Sequence, residues 1–100
     1  MHTPESIIAT VASVTGVSPQ LITGSRRSPR VIRARTLAVA MVHQIKSWWT
    51  QKQIAACFNY KTHASVIHTL HRHDWWQRSL PEYRRQLLAL EFQLFTTAAR

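Results

Sequence analysis

The sequence predicts an all-α fold, a small domain of about five to six helices. Three observations carry that expectation. Only two glycines and four prolines occur in 100 residues, too few to turn the strands of a β-sandwich. Apolar residues recur at helical rather than alternating spacing. Thr3-Pro4 and Ser18-Pro19 pair a capping side chain with a proline suited to the first helical position.

The elements follow in order. A first helix starts at Thr3-Pro4-Glu5, with Glu5 favoured at the positive end of the helix dipole. Ile7, Val11 and Val14 form its apolar stripe, and Gly16 supplies the stop. A short second helix runs from Pro19 to about Ile22, and Gly24 opens a loop. Between Arg26 and Arg35, five of ten residues are arginine: Arg26, Arg27, Arg30, Arg33 and Arg35. A long helix is expected from Pro29 to Lys46. Its apolar residues Val31, Ala34, Ala38, Met41, Val42 and Ile45 fall within about 100° of one another, so one face anchors it while Arg33 projects from the other. After Trp48-Trp49, Thr50 caps a short helix to Phe58, with Ile54 and Phe58 apolar. Asn59-Tyr60-Lys61 reads as a turn because Asn tolerates left-handed dihedrals. Thr62 caps a further helix to about His73, with Val66, Ile67 and Leu70 inward. Asp74 to Ser79 reads as a connection containing Trp75-Trp76. Ser79-Leu80-Pro81-Glu82 matches a capping box and opens a last helix over 79–98.

Composition narrows the function. The chain carries 13 Lys+Arg against 4 Asp+Glu, a formal net charge of +9. At 45% hydrophobic residues it is ordered despite that charge, and its length fits one domain spanning 1–100. The single Cys57 forms no internal disulfide, and no apolar run approaches the roughly 18 residues of a membrane span. No secretory or transit segment is evident, and the expected setting is cytoplasmic. The charge points to an anionic partner, most simply nucleic acid.

Enzymatic readings find little support. There is no carboxylate pair, nucleophile elbow or metal box. His68 and His71 stand three apart, but zinc needs about four ligands in defined geometry, so no metal and no cofactor is expected. Cys57 reads as a small buried hydrophobe. The Trp48-Trp49 and Trp75-Trp76 pairs could stack on single-stranded bases; packing at helix junctions is the plainer use.

Two short helices joined by a turn, over 50–73, suggest a helix-turn-helix whose second helix enters the major groove. Its leading residues are Lys61, Thr62, His63, Ala64 and Ser65. Lys61 can neutralise a phosphate, and Thr62 or Ser65 can donate to phosphates or base edges. His63 can bond a base edge or pack on a thymine methyl, and Ala64 permits close approach. His68 faces DNA or solvent.

At these residues the sequence resembles the C-terminal DNA-binding domain of bacterial DnaA, an architecture related to the Trp repressor. The resemblance spans roughly Ile7 to Arg72. Arg26-Arg27-Ser28-Pro29-Arg30-Val31-Ile32-Arg33-Ala34-Arg35 follows the family's R-R-x-x-x-[VI]-x-x-[AP]-R, and Ile54-Ala55-Ala56-Cys57-Phe58 resembles I-G-x-x-F. Asn59-Tyr60-Lys61-Thr62-His63-Ala64-Ser65-Val66-Ile67-His68 lies on G-G-R-D-H-T-T-V-[LI]-H. The resemblance implies that Arg33 enters the minor groove, that His63 contacts bases in the major groove, and that Ser65 keeps a hydroxyl contact. Arg26, Arg27, Arg30 and Arg35 would hold the DNA backbone over the loop and helix at 24–46. Three departures stand out. Thr62 replaces an aspartate that would accept from cytosine, Ala64 replaces a threonine, and Asn59-Tyr60 replaces a glycine pair. Each lost base contact costs about 1–3 kcal/mol of discrimination, which implies an altered site preference. No G-x-x-x-x-G-K-[ST] loop occurs, so no nucleotide partner or ATPase activity is expected. Met1 at the helix start and the extra last helix favour a stand-alone protein over an excised domain.

That last helix carries two apolar stripes. Tyr83, Leu87, Leu90 and Leu94 form one; Leu88, Phe92 and Phe95 form another, rotated by roughly 120–140°. Either both are absorbed within the domain, or one meets a second copy or another protein. The sequence is therefore read as a nucleoid-associated regulator of transcription or replication that binds double-stranded DNA. The alternative is an adaptor of the replication machinery that works through its last helix.

Overall fold

Helix α1 (Pro4–Thr15) begins where Thr3, in extended conformation, accepts from the Ser6 N–H at 3.1 Å, while Ser6 Oγ accepts from the Thr3 N–H at 3.0 Å. It ends at Gly16, whose φ of 74° is left-handed. The short α2 (Pro19–Ile22) is capped by Ser18. The computed structural model describes residues 2–96, and within them the order continues α3 (Pro29–Ile45), α4 (Gln51–Cys57), α5 (Ala64–Ser79) and α6 (Pro81–Glu91). A π-helical turn (Phe92–Thr96) extends α6. The described residues contain no strand.

Helix α3 is the axis of the fold, with α1, α2, α4 and α5 packed around it. Its expected stripe is buried, apart from a half-buried Ile45. So are Leu37, Val39 and Ala40 on its remaining sides. The sequence expectation of one anchored face holds only for the first turns. From Ala34 to Val42 every position is buried. Small Ala34, Ala38 and Ala40 let neighbouring helices approach closely.

Helix α4 starts with a capping box in which Thr50 and Gln53 exchange side-chain-to-backbone bonds. Asn59 turns the chain with φ of 57°. Helix α5 departs from expectation at both ends. Thr62 does not cap it; His63 holds the N-cap position in helical conformation, with no side-chain cap. The connection expected over Asp74–Ser79 is helix. No Gly or Pro interrupts that stretch, Arg78 pairs with Asp74, and Trp76 packs edge-on against Tyr83 with ring centroids 5.6 Å apart.

Because α5 runs to Ser79, the capping box at Ser79–Glu82 does not form. Ser79 Oγ instead donates to the Trp75 carbonyl at 2.8 Å. Leu80 alone ends α5 and starts α6, and Pro81 sets the new helical φ. Tyr83, Leu87, Leu90 and Leu94 are buried where α6 and its extension pack on α5 and α1. His2 Nε2 lies 2.7 Å from the Leu94 carbonyl. The expected end of this helix at Ala98 lies outside the described residues.

Candidate nucleic-acid interface

The helix-turn-helix presents its leading residues to solvent. Lys61, Thr62, His63, Ala64 and His68 are exposed and Ser65 is half-buried. Beneath them Val66 and Thr69 enter the core. Thr69 donates to the Ser65 carbonyl at 2.7 Å and lies 3.2 Å from the Tyr60 hydroxyl. Asn59 Nδ2 donates to the Thr23 carbonyl at 2.8 Å. That bond ties the turn to the loop leading into the arginine stretch, so the two basic elements share one frame.

The five arginines of the stretch divide into distinct environments. Arg26 and Arg27 are exposed. Arg30 is exposed too, and one of its nitrogens donates to the Gly16 carbonyl at 2.8 Å. Arg33 is half-buried at the start of α3, with Nη1 3.5 Å from Glu82 Oε2. Arg35 corrects the sequence expectation of a DNA-backbone contact, for it is only 6% exposed. Its Nε donates to the Ile22 carbonyl at 2.7 Å, and its Nη2 to the Leu21 and Arg26 carbonyls at 3.0 Å each. Burial pulls its pKa down. The carbonyl oxygens receive the charge, and the side chain fastens the end of α2 to α3.

Between the loop at 23–27 and α5 lies an open cleft of about 810 Å³, bordered by Arg27, Lys61, Ser65, His68 and Arg72. Arg72 is a cleft residue that the helix-turn-helix pattern alone does not single out. Its Nε donates to Thr36 Oγ1 at 3.1 Å and its guanidinium carbon sits 5.4 Å from the Trp76 ring centroid, so the group is held rather than free to wander. A signal existed: Ser65, His68, Thr69 and Arg72 share one face of α5 within about 100°. Arg72 also borders a smaller cleft of about 350 Å³ with Pro29, Ile32, Arg33 and Trp76. It therefore stands between the recognition turn and the start of α3.

The tryptophan pairs split instead of packing together. Trp49 and Trp76 are half-buried, whereas Trp48 and Trp75 are 70% and 67% exposed. Lys46 Nζ lies 5.4 Å from the Trp48 ring centroid. Cys57 is half-buried, and burial pushes its thiol pKa up, which disfavours the nucleophilic thiolate. Among the described residues no three His, Cys, Asp or Glu side chains converge as metal ligands, and no helix is long and apolar enough to cross a membrane. On α6 the second stripe, Leu88, Phe92 and Phe95, is exposed.

The site can hold a polyanion. It offers cations along a cleft, Arg72 among them held in place, and a helix start whose exposed side chains can donate to base edges. The family described as the bacterial dnaA protein helix-turn-helix matches residues 4–72. A comparison with curated proteins finds no match.

Proposed function

Since the chain belongs to the bacterial DnaA helix-turn-helix family, and so carries a DNA-binding domain, we propose that it is a sequence-specific binder of double-stranded DNA that regulates transcription or replication without ATPase activity. The observation that carries this reading is the juxtaposition of the exposed Lys61–Ala64 segment at the head of α5 with the cationic cleft leading to Arg33. In this reading His63, Thr62 and Ser65 face base edges in the major groove, Ala64 allows close approach, and His68 lies toward the adjoining strand. Arg33 enters the neighbouring minor groove. The strand between the grooves occupies the cleft, its phosphates met by Arg26, Arg27, Arg30, Lys61 and Arg72.

Thr62 in the family's aspartate position removes an acceptor for cytosine, which supports a site preference different from that of DnaA. Selection from a random duplex library tests the proposal. An enriched motif that is lost in His63→Ala and altered in Arg33→Ala is the expected result. A flat library, or a preference unmoved by both changes, overturns it. With about five phosphates neutralised, binding weakens roughly 500-fold from 50 to 200 mM salt.

A second reading rests on exposed Leu88, Phe92 and Phe95, as the surface of a homodimer or of an adaptor's protein partner. Light scattering separates these: a dimer at low concentration favours a regulator on paired half-sites, and a monomer favours the adaptor.

A further inference from the structure

Arg33 is the one arginine of the basic stretch that meets a carboxylate among the described residues, with 3.5 Å between Nη1 and Glu82 Oε2. Glu82 stands in the first turn of α6, where the positive end of the helix favours an acidic side chain. Its helix lies beyond the matched residues 4–72. Pro81 and the buried Tyr83 on either side fix its backbone, so the packing of α6 on α5 sets the position from which the exposed carboxylate reaches Arg33.

We infer that Glu82 is a tuning residue for DNA binding, which competes with the duplex for Arg33 and thereby weakens the complex; this rests on the reading of Arg33 as a groove contact. The ion pair draws the Arg33 guanidinium toward α6 and offsets part of its charge, so Glu82 and a duplex compete for the same cation. Seating Arg33 in a groove therefore moves its charge away from Glu82. Once DNA is seated, the released carboxylate stands beside a polyanion, which adds repulsion of the same sign. Arg33 and Glu82 are both solvent-accessible, so the pair is modest and screened by salt. A contact of that strength suits adjustment of affinity rather than a lock.

The test measures affinity for a short mixed-sequence duplex by fluorescence anisotropy at low and high salt. Glu82→Gln is expected to bind about two- to fivefold tighter at low salt, with the gain shrinking as salt rises. Glu91→Gln removes an equal charge about 13.5 Å away along α6 and is expected to gain less. In an Arg33→Ala background, Glu82→Gln is expected to lose most of its gain. Equal gains at Glu82 and Glu91, a gain that survives Arg33→Ala, or weaker binding by Glu82→Gln would overturn the inference while leaving DNA binding intact. Wild-type protein that fails to bind the duplex would overturn the underlying reading as well. Circular dichroism of each variant confirms that the helices remain folded.

Discussion

His73 Nδ1 and the Tyr83 hydroxyl lie 2.6 Å apart, joining α5 to α6 inside the domain. Tyr83 is fully buried, and its ring meets His73 edge-on with centroids 5.6 Å apart. Burial lowers the His73 pKa, opposed by nearby Asp74 and aided by His43, while burial pushes that of Tyr83 up. Both groups are therefore most stable uncharged.

The pH dependence of stability follows from that pair. The unfolded chain takes up a proton at His73 near pH 6.5, before the folded protein does. The unfolded state thus binds more protons as pH falls, and stability drops. The contribution is whole above about pH 6.5 and is lost progressively below it. Urea unfolding across pH 5–8 is expected to give a falling midpoint on acidification, with a shallower slope in His73→Asn. Tyr83→Phe strands the imidazole nitrogen and is expected to cost about 1–3 kcal/mol.

Arg35 and Arg27 predict opposite phenotypes from the same sequence cluster. Arg35→Ala removes three carbonyl contacts from the interior and is expected to cost about 3 kcal/mol of folding stability. Arg27 is exposed at the edge of the cleft, so Arg27→Ala is expected to leave thermal unfolding unchanged while weakening DNA binding. Scanning calorimetry and anisotropy on the two variants check this. A stable Arg35→Ala with weakened DNA binding would restore Arg35 to the interface.

How much of this was legible in the sequence depended on whether the partner was local. Thr3, Ser18 and Thr50 act on backbone three residues away, and Asn59 turns the chain through its own left-handed φ, so capping and turn preferences locate them; the bond from Asn59 to Thr23 is tertiary and carries no such signal. The two stripes of α6 were legible because helical periodicity separates Tyr83 from Leu88 whatever lies outside. Arg35 is hidden in the sequence because a cluster of like charges looks uniform, and its acceptors at Leu21, Ile22 and Arg26 arrive by tertiary folding. A hint was present: at 100° per residue Arg35 falls only about 20° beyond Val42 at the edge of the apolar arc of α3. Ser79 differs from its motif for a related reason. Its capping motif is sound in isolation, but α5 reaches it first.

Gly16 gives a local prediction with a tertiary consequence. Its left-handed φ strains any L side chain, and a Cβ there would stand 3.0 Å from the Arg30 Nη2 that bonds its carbonyl. Gly16→Ala is expected to lower stability by about 1 kcal/mol. Because the Arg30 side chain is flexible, the clash is relieved by freeing its guanidinium. Chemical denaturation reads the first effect. An unchanged salt slope for DNA binding is expected alongside it, since Arg30 keeps its charge.

Arg72 and His63 are expected to separate holding DNA from reading it. Arg72 is oriented by Thr36 and Trp76 at the border of both clefts, where a phosphate can reach its remaining donors but a base edge is not required. Arg72→Gln is expected to weaken binding to all duplexes alike and to make the salt slope shallower by about one. His63 heads α5 in an exposed position with no side-chain cap to make, so its ring is free for base contact. His63→Ala is expected to cost about 1–3 kcal/mol on the selected site and little on a mixed duplex, with the slope retained. Anisotropy titrations of both variants on both duplexes at several salt concentrations give the four slopes. If Arg72→Gln changed sequence preference, or His63→Ala changed the slope, the division between strand-holding cleft and reading turn would be wrong.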